Sequence, residues 1–303
     1  MLGALLTAPI DRAPCESVAA WWPRHREICA ADRPPFERAV AGGFAADRVG
    51  WAFASGYQAA LHALFPDAPD DRVCALCVTE AGGNSPKAIK SVLRKLGDGW
   101  VLNGAKRWTT LGLDGALFFV ASRDEAASGE RASIRVARID SNAPGLKIEG
   151  MPPTKFVPEV PHAQLRFENV PVKALLPGDG YDTYVKPFRT VEDIHVNAAI
   201  LAYLVREARR LAWPTAWIER SVSVLLALRE LSGQDRTSPV THVALAGALS
   251  LESGLIEETG VFWNVTADAA SQRWQRDREL LKVAGAAREL RTLRAWERLG
   301  RRA

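Results

Sequence analysis

The sequence has few cysteines, no long apolar run and no excess of one charge. Four cysteines in 303 residues are too few for a disulfide framework. No uninterrupted apolar segment reaches the ~18 residues of a membrane-spanning helix, so we expect no membrane partner. Lys and Arg number 39 against 35 Asp and Glu, a net charge of +4 with both signs interspersed. This mixture does not favour a nucleic-acid-binding protein.

The first residues, MLGALLTAPIDRAP, have no basic residue before Arg12 and only a short apolar stretch, which predicts no secretory signal. Cys74 and Cys77 form a C-x-x-C, but no second pair of metal ligands follows at zinc-site spacing. The pair falls in a predicted strand, where residues three apart point to opposite faces. We therefore expect neither a zinc nor a redox role, and a reducing, cytoplasmic location.

Composition divides the chain into three predicted domains, at residues 1–71, 72–180 and 181–303. Apolar residues recur at helical spacing in the first domain, from Pro35 to Phe65, with an interruption at Gly42-Gly43. The third domain is helical again. Its predicted landmarks are breaks at Trp213-Pro214 and Ser232-Gly233, a helix start at Ser238-Pro239, and a last helix near 272–299.

The middle domain consists of short segments rich in β-branched and aromatic residues, separated by Gly, Asp, Asn and Pro. Gly97-Asp98-Gly99 and Asn103-Gly104 are hairpin signals. This pattern predicts a small antiparallel barrel or sandwich. The fold class is therefore α+β, with N-terminal helices, a middle antiparallel β domain and a C-terminal helical bundle.

Three motifs stand at the start of the middle domain: Cys77-Val78-Thr79-Glu80, Leu102-Asn103-Gly104-Ala105-Lys106 and Trp108-Thr109-Thr110. They resemble the middle domain of the acyl-CoA dehydrogenase family, in which C-x-T-E-P-x-x-G-S, L-N-G-x-K and W-I-T follow one another. Phe167 to Val172 and Leu176 to Gly180 resemble the end of that domain. The resemblance is close over residues 74–180 and extends in outline over 35–300. It implies FAD as the cofactor and an acyl-CoA thioester as the substrate.

The resemblance also implies a flavin site. Backbone N–H groups near the end of the first strand would face the polar edge of the flavin. The small-residue loop that follows this strand would approach the pyrophosphate. The indole of Trp108 and the hydroxyl of Thr110 would lie against the flavin ring. A core position for the tryptophan is the alternative. The predicted cofactor-binding residues are Leu76, Val78, Thr79, Gly82, Gly83, Ser85, Trp108, Thr109 and Thr110, and the predicted substrate contacts are Ser85 and Arg189.

The catalytic base of most members is a Glu that follows an R-D pair near the C-terminus. The matching position falls on Ala284 or Gly285, and neither accepts a proton. A minority of the family has its base on the first long helix after the β domain, which implies Asp193 or Glu192 here, with Arg189 and His195 as neighbours. The alternative is that these acids only favour the start of the helix by interacting with its dipole.

The sequence also departs from the family pattern. Its N-terminal domain is about half the usual length, and LSGQDRTSP stands where the family has the R-x-x-F-G segment that reaches FAD across a dimer interface. This predicts weak FAD retention, or an adenine site supplied by another subunit of a homo- or hetero-oligomer. Three functions follow: an FAD-dependent acyl-CoA dehydrogenase, a non-catalytic subunit of a heteromeric one, or a redox-inactive acyl-thioester binding protein.

The C-terminal segment is rich in arginine. Its arginines alternate with Glu289 and Glu297, which is typical of a solvent-exposed or interface helix; contact with the phosphates of CoA is the alternative. The arginines concerned are Arg288, Arg291, Arg294, Arg298, Arg301 and Arg302.

Overall fold

The computed structural model describes residues 1–10, 13–29, 32–126, 133–264 and 268–301. The chain forms two compact units. The first, here called the helical unit, comprises Met1–Ala63, Thr154–Pro158 and Thr190–Ala303; the second, the sheet unit, comprises Leu64–Pro153 and Glu159–Arg189. The N-terminal and C-terminal helical blocks thus fall into one unit. The domain boundaries at 71 and 180 remain predictions.

Nine α-helices are present in the described part of the chain. Two short helical turns, Tyr181–Val185 and Arg278–Lys282, accompany them. The predicted breaks at Trp213-Pro214 and Ser232-Gly233 and the start at Pro239 are confirmed. The helices are α1 (Leu2–Thr7), α2 (Val18–Ile28), α3 (Pro35–Ala45), α4 (Val49–Leu64), α5 (Lys186–Arg210), α6 (Thr215–Ser232), α7 (Pro239–Asn264), α8 (Ala269–Asp277) and α9 (Gly285–Arg298).

Two helix predictions are wrong. Gly42 and Gly43 do not interrupt a helix but lie inside α3, and the chain turns after Ala45 instead. A Cβ at Gly43 would collide with the carbonyl oxygen of Ala199, so the glycine permits close approach of α3 to α5. The single last helix is also wrong, because α8 ends at Asp277 and α9 begins at Gly285.

The sheet unit contains seven described strands. They are arranged in the order β1-β4-β2-β3-β7-β6, and β5 pairs with β4. Because β1/β4 and β2/β4 are parallel, the sheet is mixed, and the antiparallel prediction is corrected in that respect. The α+β fold class is confirmed. The strands are β1 (Cys74–Cys77), β2 (Val92–Leu96), β3 (Gly99–Thr110), β4 (Leu117–Asp124), β5 (Ile134–Asp140), β6 (Leu146–Gly150) and β7 (His162–Val172).

One of the two predicted hairpins is present. Leu96 pairs with Gly99, so Gly97-Asp98 connects β2 to β3 as expected. Asn103-Gly104 is not a turn but lies within β3, at an irregularity in its pairing with β7. The side chain of Asn103 binds Asn169 there: Oδ1 accepts from the Asn169 N–H at 2.8 Å and Nδ2 donates to its Oδ1 at 3.1 Å. The turn-forming residues thus stabilise a bulge.

Among the described helices, α7 is long and apolar enough, by length and composition only, to cross a membrane. The sequence analysis did not anticipate this. In the helical unit, α7 packs against α6, and Trp217 Nε1 donates to the carbonyl oxygen of Leu255 at 2.9 Å. The buried face of α7 also includes a glutamate, Glu252. Core helices meet the same length and composition criterion, so a membrane location does not follow.

Candidate functional site

The end of β1 lies directly against β3 in the sheet unit. The carbonyl oxygen of Thr79 accepts from the Arg107 N–H at 2.8 Å, and that of Val78 accepts from Lys106 Nζ at 3.3 Å. The structure therefore brings together the two motifs that the flavin hypothesis requires to converge. Leu76 is buried within β1, where it pairs with Phe119. The binding roles of these residues remain predictions.

A bulge in β3 determines which way Trp108 faces. Lys106 pairs with Leu165 of β7 and Thr109 pairs with Ala163, so β3 contains one residue more than β7 between these pairs. In a regular strand, Lys106 and Trp108 would share a face. With the extra residue, Lys106 is fully buried whereas Trp108 is 46% exposed, at a left-handed φ of 57°. A strained, exposed indole is typical of a binding surface.

The two threonines after the indole differ in their surroundings. Thr109 is buried, whereas Thr110 is partly exposed. Thr110 Oγ1 lies 3.5 Å from His162 Nε2, and the His162 ring meets the Trp108 indole edge-on at a centroid distance of 6.0 Å. Burial lowers the pKa of His162, so the ring is neutral at neutral pH. Trp108 and Thr110 thus form one surface with an uncharged imidazole.

A buried ion pair holds the end of β1 in place. Lys106 Nζ donates to Glu80 Oε1 at 2.7 Å, and Glu80 also accepts from Ser91 Oγ at 2.6 Å and from the N–H groups of Ser91 and Lys90 at 3.0 and 2.8 Å. Burial opposes the charge on Glu80, but Lys106 and the hydrogen bonds from Ser91 outweigh it and lower its pKa. Glu80 and Lys106 thus form a buried ion pair that joins the end of β1 to β3, and the sequence analysis missed this role.

The loop after β1 is a tight turn with an open backbone. The N–H of Glu80 donates to the Gly83 carbonyl at 2.9 Å, and the Gly83 N–H donates back to Glu80 at 3.0 Å. Gly83 has a φ of 106°, and no atom lies within 4 Å of where a Cβ would be. Gly82 and Ser85 are exposed. A glycine turn with this much free space permits close approach of an anionic group to the backbone.

Arg189 lies beside this loop. Its Nη2 donates to Asn84 Oδ1 at 3.1 Å, one residue from Ser85. The structure thus places the two predicted substrate contacts, Ser85 and Arg189, at the same edge of the sheet unit. Their roles in substrate binding remain predictions.

The predicted bases lie on α5 in the helical unit. Asp193 is buried, and both of its carboxylate oxygens are paired: Arg288 Nη2 lies 2.8 Å from Oδ1, and Arg291 Nη1 lies 2.8 Å from Oδ2. Glu192 is partly exposed. His195 is buried, with Nδ1 at 2.7 Å from the Val191 carbonyl oxygen, and burial lowers its pKa to about 4, so it is neutral.

Solvent exposure, one of the two expectations for the arginine helix, does not hold for Arg288 and Arg291. Both side chains are largely buried, because α9 packs against the rest of the helical unit and Asp193 provides a carboxylate there. Arg302 lies outside the described residues. The sequence analysis also missed Glu252, although the spacing of Leu245, Ala248, Glu252 and Leu255 places a glutamate on the apolar stripe of α7.

The C-x-x-C cysteines are both buried in β1, and neither forms a disulfide among the described residues. Burial raises the pKa of Cys74 and that of Cys77 to about 12. Both are therefore protonated thiols at neutral pH, in agreement with the expectation that they are not reactive.

Comparisons with known proteins agree with this architecture. Residues 75–170 match the family model of the acyl-CoA dehydrogenase middle domain. A structure of PigA with FAD and proline has a TM-score of 0.70 at 13% sequence identity, over 94% of this chain and 90% of that one. A glutaryl-CoA dehydrogenase from Mycobacterium smegmatis in complex with FADH2 has a TM-score of 0.68 at 13% identity, over 93% and 89%.

Butyryl-CoA dehydrogenase from Megasphaera elsdenii is similar too, with a TM-score of 0.67 at 15% identity, over 88% of this chain and 81% of that one. At these identities the structural likeness establishes the fold, and the family model independently identifies the sheet-forming segment. Residues 75–170 thus match the middle-domain model of the acyl-CoA dehydrogenase family, and the chain has an acyl-CoA dehydrogenase-like fold.

Proposed function

We propose that this protein is an FAD-dependent oxidoreductase of the acyl-CoA dehydrogenase type, which forms an α,β double bond in an acyl-CoA thioester. The observation that carries the proposal is the contact between the end of β1 and the bulge of β3, which places Thr79 beside the exposed Trp108. The match to the family's middle domain supports it. Two of the similar proteins were solved with FAD or FADH2.

The residues of the sheet unit fit the flavin end of FAD. Trp108 and Thr110 offer a flat apolar face with a hydroxyl beside it, and the open turn at Gly82, Gly83 and Ser85 suits a pyrophosphate. FAD, when bound, supplies an acceptor at N5 for the hydride that leaves the β-carbon. The chain's own contribution is to orient the ring and to stabilise charge near its polar edge through the backbone N–H groups at Val78 and Thr79.

A carboxylate must remove the proton from the α-carbon of the thioester. We assign this role to Asp193, with Glu192 as the alternative, because the family position near the C-terminus falls on Ala284 or Gly285. Arg189 and Ser85 are the proposed contacts for the substrate. The adenine end of FAD and the oligomeric state follow from the same proposal: a second subunit completes the cofactor site.

A flavin titration tests the cofactor assignment. We expect the purified protein to bind FAD, to become yellow and to show quenched tryptophan fluorescence. Trp108→Ala should weaken binding about fivefold, since the stacking of two aromatic groups contributes on the order of 1 kcal/mol. Leu113→Ala is the matched control, because Leu113 is 48% exposed on the same unit. Equal affinities in wild type, Trp108→Ala and Leu113→Ala would refute the assignment.

The same preparation separates the three candidate functions. Bleaching of the flavin absorbance by acyl-CoA thioesters under anaerobic conditions supports the dehydrogenase. A protein that becomes yellow only when produced with a homologous partner supports the non-catalytic subunit. A protein that binds thioesters without binding flavin supports the redox-inactive alternative, which the pairing of both Asp193 oxygens with arginines also favours.

A further inference from the structure

Glu252 is a buried acid without a hydrogen-bond partner. Its side chain belongs to the inward face of α7 and is 1% exposed. Neither carboxyl oxygen has a hydrogen-bond partner among the described residues. Burial raises the pKa of Glu252 to about 8, the nearby Arg288 acts in the opposite direction, and Asp193 adds to the increase. Burying a carboxyl group without a hydrogen-bond partner lowers the free energy of unfolding. Acids with such a raised pKa are concentrated at functional sites.

Arg288 interacts with two carboxyl groups, those of Asp193 and Glu252. It donates to Asp193 from Nε at 2.9 Å, and from Nη1 to the Leu281 carbonyl oxygen at 3.2 Å. Its charge also lowers the pKa of Glu252, and the two helices that carry these residues, α7 and α9, pack against each other. The side chain projects from the first turn of α9 and remains about a quarter exposed, so it has room to change rotamer.

The charges of this cluster do not balance when Glu252 is protonated. Arg288 and Arg291 then face the single negative charge of Asp193, whereas an ionised Glu252 makes two charges of each sign. The other groups nearby contribute little. His242 of α7 lies near Arg291, and burial lowers its pKa, so it is neutral. On α6, Arg220 is paired with the exposed Glu258 at 2.6 Å.

We propose that Glu252 is a positioning residue for Asp193: when Glu252 loses its proton, Arg288 moves from Asp193 to Glu252. The O–H bond of Glu252 breaks and its proton passes to water, while Arg288 stays charged throughout. Arg291 stays on Oδ2, and Oδ1 of Asp193 becomes available as a proton acceptor. The exchange itself depends only on the helical unit. Its consequence for catalysis rests on the proposed function.

The exchange can be measured on the protein without flavin. In wild type, the NMR signal of the Arg288 Nε–H should shift with pH around a midpoint near 8, in parallel with loss of the infrared band of a protonated carboxyl group. Glu252→Gln should remove both changes and keep Arg288 in its Asp193-bound state. Glu258→Gln, on the exposed face of the same helix, should leave both unchanged. An Arg288 signal that does not titrate in wild type, or titrates equally in Glu252→Gln, overturns the proposal.

A second measurement addresses the consequence for catalysis. In flavin-loaded protein, the rate of flavin reduction by an acyl-CoA should increase as the pH passes 8 in wild type, whereas Glu252→Gln should stay flat. Absence of reduction at every pH, together with a normal Arg288 titration, would count against the proposed function but leave the exchange intact. A rate whose pH profile is the same in wild type and Glu252→Gln contradicts the positioning role.

Discussion

Charged residues in this protein differ greatly in how much their ion pairs contribute to stability. Lys106 and Glu80 form a pair that water does not reach, whereas Lys147 and Glu168 form a pair of similar length, 3.0 Å, in which both side chains are well exposed. Removing one partner of a buried pair leaves an uncompensated charge, while an exposed partner is simply hydrated. Two similar distances therefore have different energetic consequences.

We expect Lys106→Met to lower the free energy of unfolding by about 3–5 kcal/mol, because Glu80 would be left buried without its cation. The matched change Lys147→Met should lower it by less than ~1 kcal/mol. Urea unfolding followed by circular dichroism measures both. A small effect for Lys106→Met, equal to that of Lys147→Met, would show that water reaches Glu80.

The buried acid on α7 predicts an unusual pH dependence of stability. The pKa of Glu252 is raised to about 8 in the folded state, so its contribution is fully present below the unfolded value of 4.5 and is lost as the pH rises through 8. We expect Glu252→Gln to match wild type near pH 4 and to exceed it by about 4 kcal/mol at pH 8, since each pKa unit corresponds to ~1.4 kcal/mol. Thermal unfolding across this range provides the measurement, and a constant difference at all pH values would contradict the shift.

At the scale of helices and strands, the sequence predicts what is local. The strand at Cys74–Cys77, the β2–β3 turn and the helix start at Pro239 depend on neighbouring residues only, and all three are confirmed. The misplaced turn at Asn103-Gly104 depends on Asn169, which is distant in sequence. In the same way, the burial of Arg288 depends on Asp193, 95 positions away. Patterns that are typical of turns and exposed helices cannot reveal such partners.

The site was predictable to a similar extent. The motifs indicated that Thr79 and Trp108 would converge. They did not indicate the bulge that leaves the indole exposed, because a bulge is defined by the pairing of β3 with β7, which is distant in sequence. Glu252 was detectable in principle, since its spacing along α7 matches that of the apolar residues around it. Its partners on other helices were not.

Glycines within helices allow a test at this scale. Gly43→Ala would place a Cβ against the backbone of α5 at Ala199, and rigid backbone cannot yield, so we expect a loss of about 1–3 kcal/mol. Gly247→Ala, in α7 with no atom within 4 Å, should instead gain about 0.5–1 kcal/mol. Chemical denaturation of the two variants provides the comparison, and a gain in both would mean that α3 and α5 are less closely packed than described.

At the scale of the whole molecule, the two units contribute different parts of the proposed chemistry. The sheet unit contains the residues proposed to hold the flavin ring, and the helical unit contains the candidate base. LSGQDRTSP stands where the resemblance places the R-x-x-F-G segment that reaches FAD across a dimer interface, and it does not match that segment. Retention of FAD should therefore depend on whether another subunit is present.

We expect FMN and FAD to bind the monomer with affinities within about threefold, because the sequence predicts that one chain does not supply the adenine contacts. A preference for FAD should appear as protein concentration rises and oligomers form. Fluorescence titrations with both flavins, combined with sedimentation analysis at each concentration, make the measurement. A strong preference for FAD in the monomer would place the adenine site within one chain.

The extra residue in β3 between Lys106 and Thr109 implies that this segment is sensitive to length more than to composition. Deleting Arg107, an exposed side chain, would restore regular alternation with Lys106 still inside and the indole still outside. It would also remove the backbone N–H that donates to the Thr79 carbonyl oxygen and joins β3 to the end of β1. Replacing Arg107 with almost any other amino acid would leave the register unchanged. We therefore expect this strand to tolerate most substitutions at position 107 but not the insertion or deletion of a single residue.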